Sequence, residues 1–99
     1  MVIIGIMSFS PEQSKEIGKR FLEFPSLPAY MSLKGPFINN EVGVGIKAIT
    51  IYEFDQSKTR EAIEFVSNRY TVFYSVPGYT CSTNTWLEAK EALKMIGLA

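Results

Sequence analysis

The side chains that could do chemistry in this chain are few and of one kind. Tyr30, Tyr52, Tyr70, Tyr74, Tyr79 and Trp86 offer flat apolar bodies with polar tips, which suits the wall of a pocket for a small apolar or aromatic molecule. The same residues serve elsewhere as amphipathic core and interface residues, and that is the commoner use. Lys34, Lys47, Glu53, Cys81 and Asn84 complete the polar set. Lys47 and Glu53 fall on one face of the same extended stretch but roughly 20 Å apart, so they cannot act as a pair within it. Either would be functional only as a buried acid or base with a shifted pKa. Charged groups are seldom buried, and a sheet end or a subunit contact is the plainer role. Lys34, beside Gly35, reads as a solvated charge that protects a sheet edge.

What is missing narrows the chemistry further. The chain has no histidine, which removes the commonest general base near neutral pH, the commonest transition-metal ligand and the usual haem ligand. Cys81 is the single cysteine. It forms no internal disulfide, no histidine stands ready to activate it, and a small half-buried hydrophobe is its simpler role. Asp and Glu do not recur at metal-ligand spacing, and Gly43 with Gly45 lacks the strand–turn–helix setting of a phosphate loop. The expectation is therefore no cofactor and no metal, with the catalytic residues, if there are any, unassigned.

Composition bounds the class of protein. The 99 residues suffice for one domain, 1–99, and 46% hydrophobic with 13% aromatic content is globular. Ten basic and ten acidic side chains cancel, so the basic excess expected of a nucleic-acid binder is absent. The opening MVIIGIM reads as a strand, not a signal peptide, and no apolar run approaches a membrane span. Together with the lone cysteine, these features place the chain in the cytoplasm as an expectation.

The elements that must position these residues are ordered around 42–54, VGVGIKAITIYEF. The stretch is β-branched, free of proline and apolar on both faces over part of its length, as an inner strand would be. Residues 2–9 form a similar strand beside it. Ser10-Pro11-Glu12-Gln13 reads as a helix start, with Ser10 as N-cap and Gln13 closing a capping box. That helix runs to about 24, with Ile17, Phe21 and Leu22 inward. Residues 30–38 form an edge strand interrupted at Gly35-Pro36, and Asn39-Asn40 turn it into the long strand. A second helix starts at Asp55 or Ser57. Apolar spacing carries it to about 74, although 70–76 could instead be a strand. Residues 79–85 form a polar edge strand, and Trp86 or Glu88 opens a short last helix that Gly97 closes.

Strand–helix–strand–strand–helix–strand is the ferredoxin-like βαββαβ order of the α+β class, followed here by a short C-terminal helix. Two right-handed crossovers place the first and third strands at the centre of an antiparallel four-stranded sheet, with the helices on one face. The other face would be too apolar for water. In element order, in length and in Val76-Pro77-Gly78-Tyr79 before the last strand, the chain resembles the dimeric α+β barrel superfamily. The resemblance implies a homodimer with two sheets face to face. That superfamily includes cofactor-free monooxygenases, lactone isomerases, haem-linked peroxidases and ligand-sensing domains, and the fold does not choose among them. Members that act through histidine have no counterpart residue here. Three readings stand: a homodimeric module for a small apolar or aromatic ligand, an assembly module without ligand, and a small cofactor-free enzyme.

Overall fold

The computed structural model describes residues 1–98. β1 (Val2–Phe9), α1 (Ser14–Leu22), β2 (Met31–Glu41), β3 (Gly45–Phe54), α2 (Thr59–Thr71), β4 (Thr80–Trp86) and α3 (Ala89–Met95) follow one another in a mixed α+β chain. The four strands form one antiparallel sheet in the order β2-β3-β1-β4. The two strands apolar on both faces, β1 and β3, are the inner pair, because only an inner strand can bury both faces.

Period-two alternation decides what each face carries. Ile3 and Phe9 of β1, and Ala48, Thr50, Tyr52 and Phe54 of β3, point at the helices and are buried. Ala62, Val66 and Tyr70 recur at helical spacing on α2 and meet them there. Burying a side chain such as Val66 contributes about 1.5–3 kcal/mol. A second cluster of Phe9, Ile17, Phe73 and Val76 lies where α1 and the segment after α2 approach the sheet. The opposite face carries Ile4, Ile6, Ile49 and Ile51 in adjacent register, with Phe37 and Trp86 at its borders.

Several boundaries differ from the sequence reading. Asn39 and Asn40 stay in β2, paired with Lys47 and Ile46, and the turn falls at 42–44. Gly43 and Gly45 take it, at φ of 81° and 100°, a region other residues enter at a cost. The expected capping box at Ser10 and Gln13 does not form: Pro11–Gln13 is a 3-10 turn and neither side chain caps the helix. Leu22 points outward and Phe24, beyond the end of α1, packs inward in its place. α2 carries Tyr70 as helix and stops at Thr71, short of 74, so 70–76 is not a strand. Glu88 caps α3 in a capping box with Glu91, and the Met1 ammonium pairs with Glu91 beside it.

Candidate functional site

A cavity of about 280 Å³ opens between α1 and the helix-facing side of the sheet. Ile17 and Phe21 of α1 form its roof, Phe24 and Phe73 one end, and Ala48, Thr50 and Tyr52 of β3 its floor. Phe21 and Ile38 line it while remaining 37% and 69% exposed, which places the mouth between α1 and the β2 edge. Gly18 sits in the roof with nothing within 4 Å of where its side chain would be. A small residue at that turn of α1 keeps the space open. If sealed and empty, an apolar void of this size would cost about 7 kcal/mol.

The polar groups in this lining are few and ordered. The Tyr52 hydroxyl donates to the Tyr70 hydroxyl at 3.3 Å, and both rings are buried, edge to face at 6.4 Å. Burial, reinforced by the Tyr52 phenol and partly offset by Thr50, raises the Tyr70 pKa far above its usual value. Tyr70 is thus held protonated and can donate a hydrogen bond, but it is poorly suited to act as a base.

Among the described residues, Arg69 is the one cationic side chain in the lining. Its guanidinium carbon lies 4.1 Å from the centroid of the Phe24 ring. Its Nε and Nη1 are buried and have no hydrogen-bond partner among the described residues. Leaving a buried donor unpaired costs roughly 1–3 kcal/mol, more for a charged group. In Arg20 the corresponding nitrogens are engaged: Nε donates to Glu16 at 2.9 Å, and Nη1 donates to the Val72 carbonyl and to Ser75 Oγ at 2.7 and 2.8 Å. Arg20 thereby ties α1 to the segment that closes the far end of the cavity.

The aromatic residues named from sequence are dispersed. Tyr52 and Tyr70 line the cavity. Tyr79 packs on Phe73 at 5.4 Å and donates to the Tyr70 carbonyl at 3.1 Å, bracing the end of α2 from outside. Tyr74 is 65% exposed beside it. Tyr30 packs at the border of the main core, in the turn before β2. Trp86 lies on the opposite face of the sheet, across from Val2. Cys81 faces the helices and packs on the core, and Asn84 is exposed opposite Ile4. Lys34 pairs with Glu53 at 3.4 Å and Lys47 with Glu41 at 3.7 Å, both on the open face. Among the described residues no three Cys, Asp or Glu side chains converge to hold a metal ion, and no helix is long and apolar enough to cross a membrane.

Sequence reasoning missed Arg69, Phe24 and Thr50. For Arg69 a signal existed: it sits inside the stripe Phe65, Val66, Tyr70, Phe73, where helical spacing leaves no room for a solvated charge.

No family model matches the chain, and no curated protein matches it. Among solved structures it is similar to a de novo designed protein, Foldit4, at 15% identity and a TM-score of 0.50, over 87% of this chain and 96% of that one. The likeness concerns the arrangement of strands and helices alone.

Proposed function

We infer that the protein is a small-molecule binding module that takes an apolar or aromatic ligand between α1 and the sheet. The observation that carries this reading is the cavity, whose walls are aromatic and aliphatic apart from a short row of hydroxyls and one guanidinium. Few, convergent polar groups in an apolar concavity are what orient a ligand. The protonated state of Tyr70 and the absence of histidine favour binding over general-base catalysis.

The finer fold follows the same proposal. The sheet is read as ferredoxin-like, and two copies are read as pairing through the open face as a dimeric α+β barrel. Support comes from the contiguous Ile4, Ile6, Ile49 and Ile51, an apolar patch that a second copy would cover. Assembly without a ligand is the second reading. It is favoured by α3, whose Leu93 and Ile96 share one side and are 42% and 69% exposed.

Native mass spectrometry of the protein from its own host tests both. A dimer with a defined extra mass is the expected result. A dimer that never carries a ligand, even after incubation with aromatic compounds, would leave assembly as the function. A monomer would remove the barrel.

A further inference from the structure

We propose that the ligand of this cavity is a small organic carboxylate whose charged end meets Arg69 and whose apolar or aromatic body fills the space beneath α1. The inference rests on the reading of the cavity as a ligand site and names its chemical class.

Arg69 supplies the argument. The Phe24 ring covers one face of the guanidinium, which stabilises the charge. The N–H donors, however, point outward in the guanidinium plane, where a ring stacked above cannot accept from them. Nε and Nη1 thus remain buried without an acceptor. The acidic side chains of the two helices do not supply one. Glu16 is taken by Arg20 at 2.9 Å, Glu64 is paired with Arg60 at 3.3 Å on the exposed side of α2, and Glu61 is exposed in the first turn of α2. Both donors are closed off by their surroundings, so a small rotation of the side chain brings them onto an acceptor arriving with the ligand, and an anionic acceptor matches the charge as well.

Size and polarity set the rest of the molecule. About 280 Å³ is roughly nine water volumes, which suits a body of about ten carbon-sized atoms rather than a long acyl chain. Tyr52 and Tyr70 line the same space with their rings, while their buried hydroxyls are turned to each other at 3.3 Å, so the body of the ligand meets an apolar wall there. The carboxylate is expected to lie at the Arg69–Phe24 end and the apolar body to extend toward Ile38 and the mouth.

The test compares two probes of one shape, 3-phenylpropanoate and 3-phenylpropan-1-ol, by titration calorimetry on the intact chain. The wild type should bind the acid about tenfold or more tightly than the alcohol. Arg69→Gln should close that gap, because the charged contact that favours the acid is removed. Equal affinity of the wild type for both probes overturns the carboxylate but leaves the pocket. Retention of the full preference in Arg69→Gln overturns the role of Arg69. Binding of neither probe overturns the pocket and the carboxylate together. Should Arg69→Gln fail to fold, the wild-type comparison and Arg69→Lys, expected to keep part of the preference, decide the matter.

Discussion

The Tyr70 hydroxyl occupies the space into which a side chain on Gly5 would project. Gly5 lies on β1 opposite Thr50 of β3, so a missing Cβ on one strand gives the tip of a tyrosine on α2 somewhere to go. That fit aligns Tyr70 with Tyr52 and fixes the inner wall of the cavity.

Gly5→Ala should therefore destabilise the fold by about 1–3 kcal/mol, since both the hydroxyl and the ring carbon bearing it must move. In a Tyr70→Ala background the same substitution should cost far less, because the obstructing ring is gone. Denaturant unfolding of the four proteins in this cycle measures the coupling. Additive losses would show that the fit is not the cause.

Alkaline pH is the second lever. Burial raises the pKa of Tyr70, and burial with the Cys81 thiol raises that of Tyr79. Both groups bind their protons more tightly when folded, so their contribution is complete below the ordinary tyrosine value near 10. Above it the unfolded chain ionises first, and stability falls as pH rises. Urea unfolding between pH 8 and about 11 should show this loss. Tyr70→Phe with Tyr79→Phe should flatten the curve above 10; an unchanged slope would mean that other groups set it.

A third expectation concerns the open face. Ile49 lies between Phe37 of β2 and Ile6 of β1, at the middle of the apolar patch. Ile49→Asp places a charge where a second sheet would desolvate it, at a cost of several kcal/mol. Analytical ultracentrifugation should find the wild type at twice the chain mass of 11.1 kDa and the variant at the chain mass. Identical sedimentation of the two would count against pairing through this face.

The sheet was legible because its inner strands are the chain's two continuous β-branched stretches, and the edges announced themselves by Pro36 in one and by threonine and serine in the other. The hairpin turn was not. Asn39-Asn40 has the chemistry of a turn, yet both residues pair in the ladder because Gly43 and Gly45, further along the chain, can take positive φ more cheaply. The site was harder still. Tyr52 and Tyr70 could be named as aromatic candidates, but the ring that covers Arg69 is Phe24, a residue past the end of α1 whose inward turn no local pattern marks. Trp86 and Tyr74 carry the same sequence signal as Tyr52 and lie elsewhere, since residue type does not encode which side of a sheet will be roofed.

The break in β2 has a consequence for how the protein can fail. Between Lys34 and Phe37 the register with β3 shifts, and Pro36 has no N–H to offer an incoming strand. Of the two outer rails of this sheet, one is thereby interrupted, and only β4 is left continuous. A unit with a single adhesive rail can join one other and then stops, whereas a unit with two can polymerise without limit. Pro36→Thr should restore the second rail. Faster growth of thioflavin-positive fibrils on mild heating is the expected outcome, and equal kinetics would show that the interruption does not act as the chain terminator.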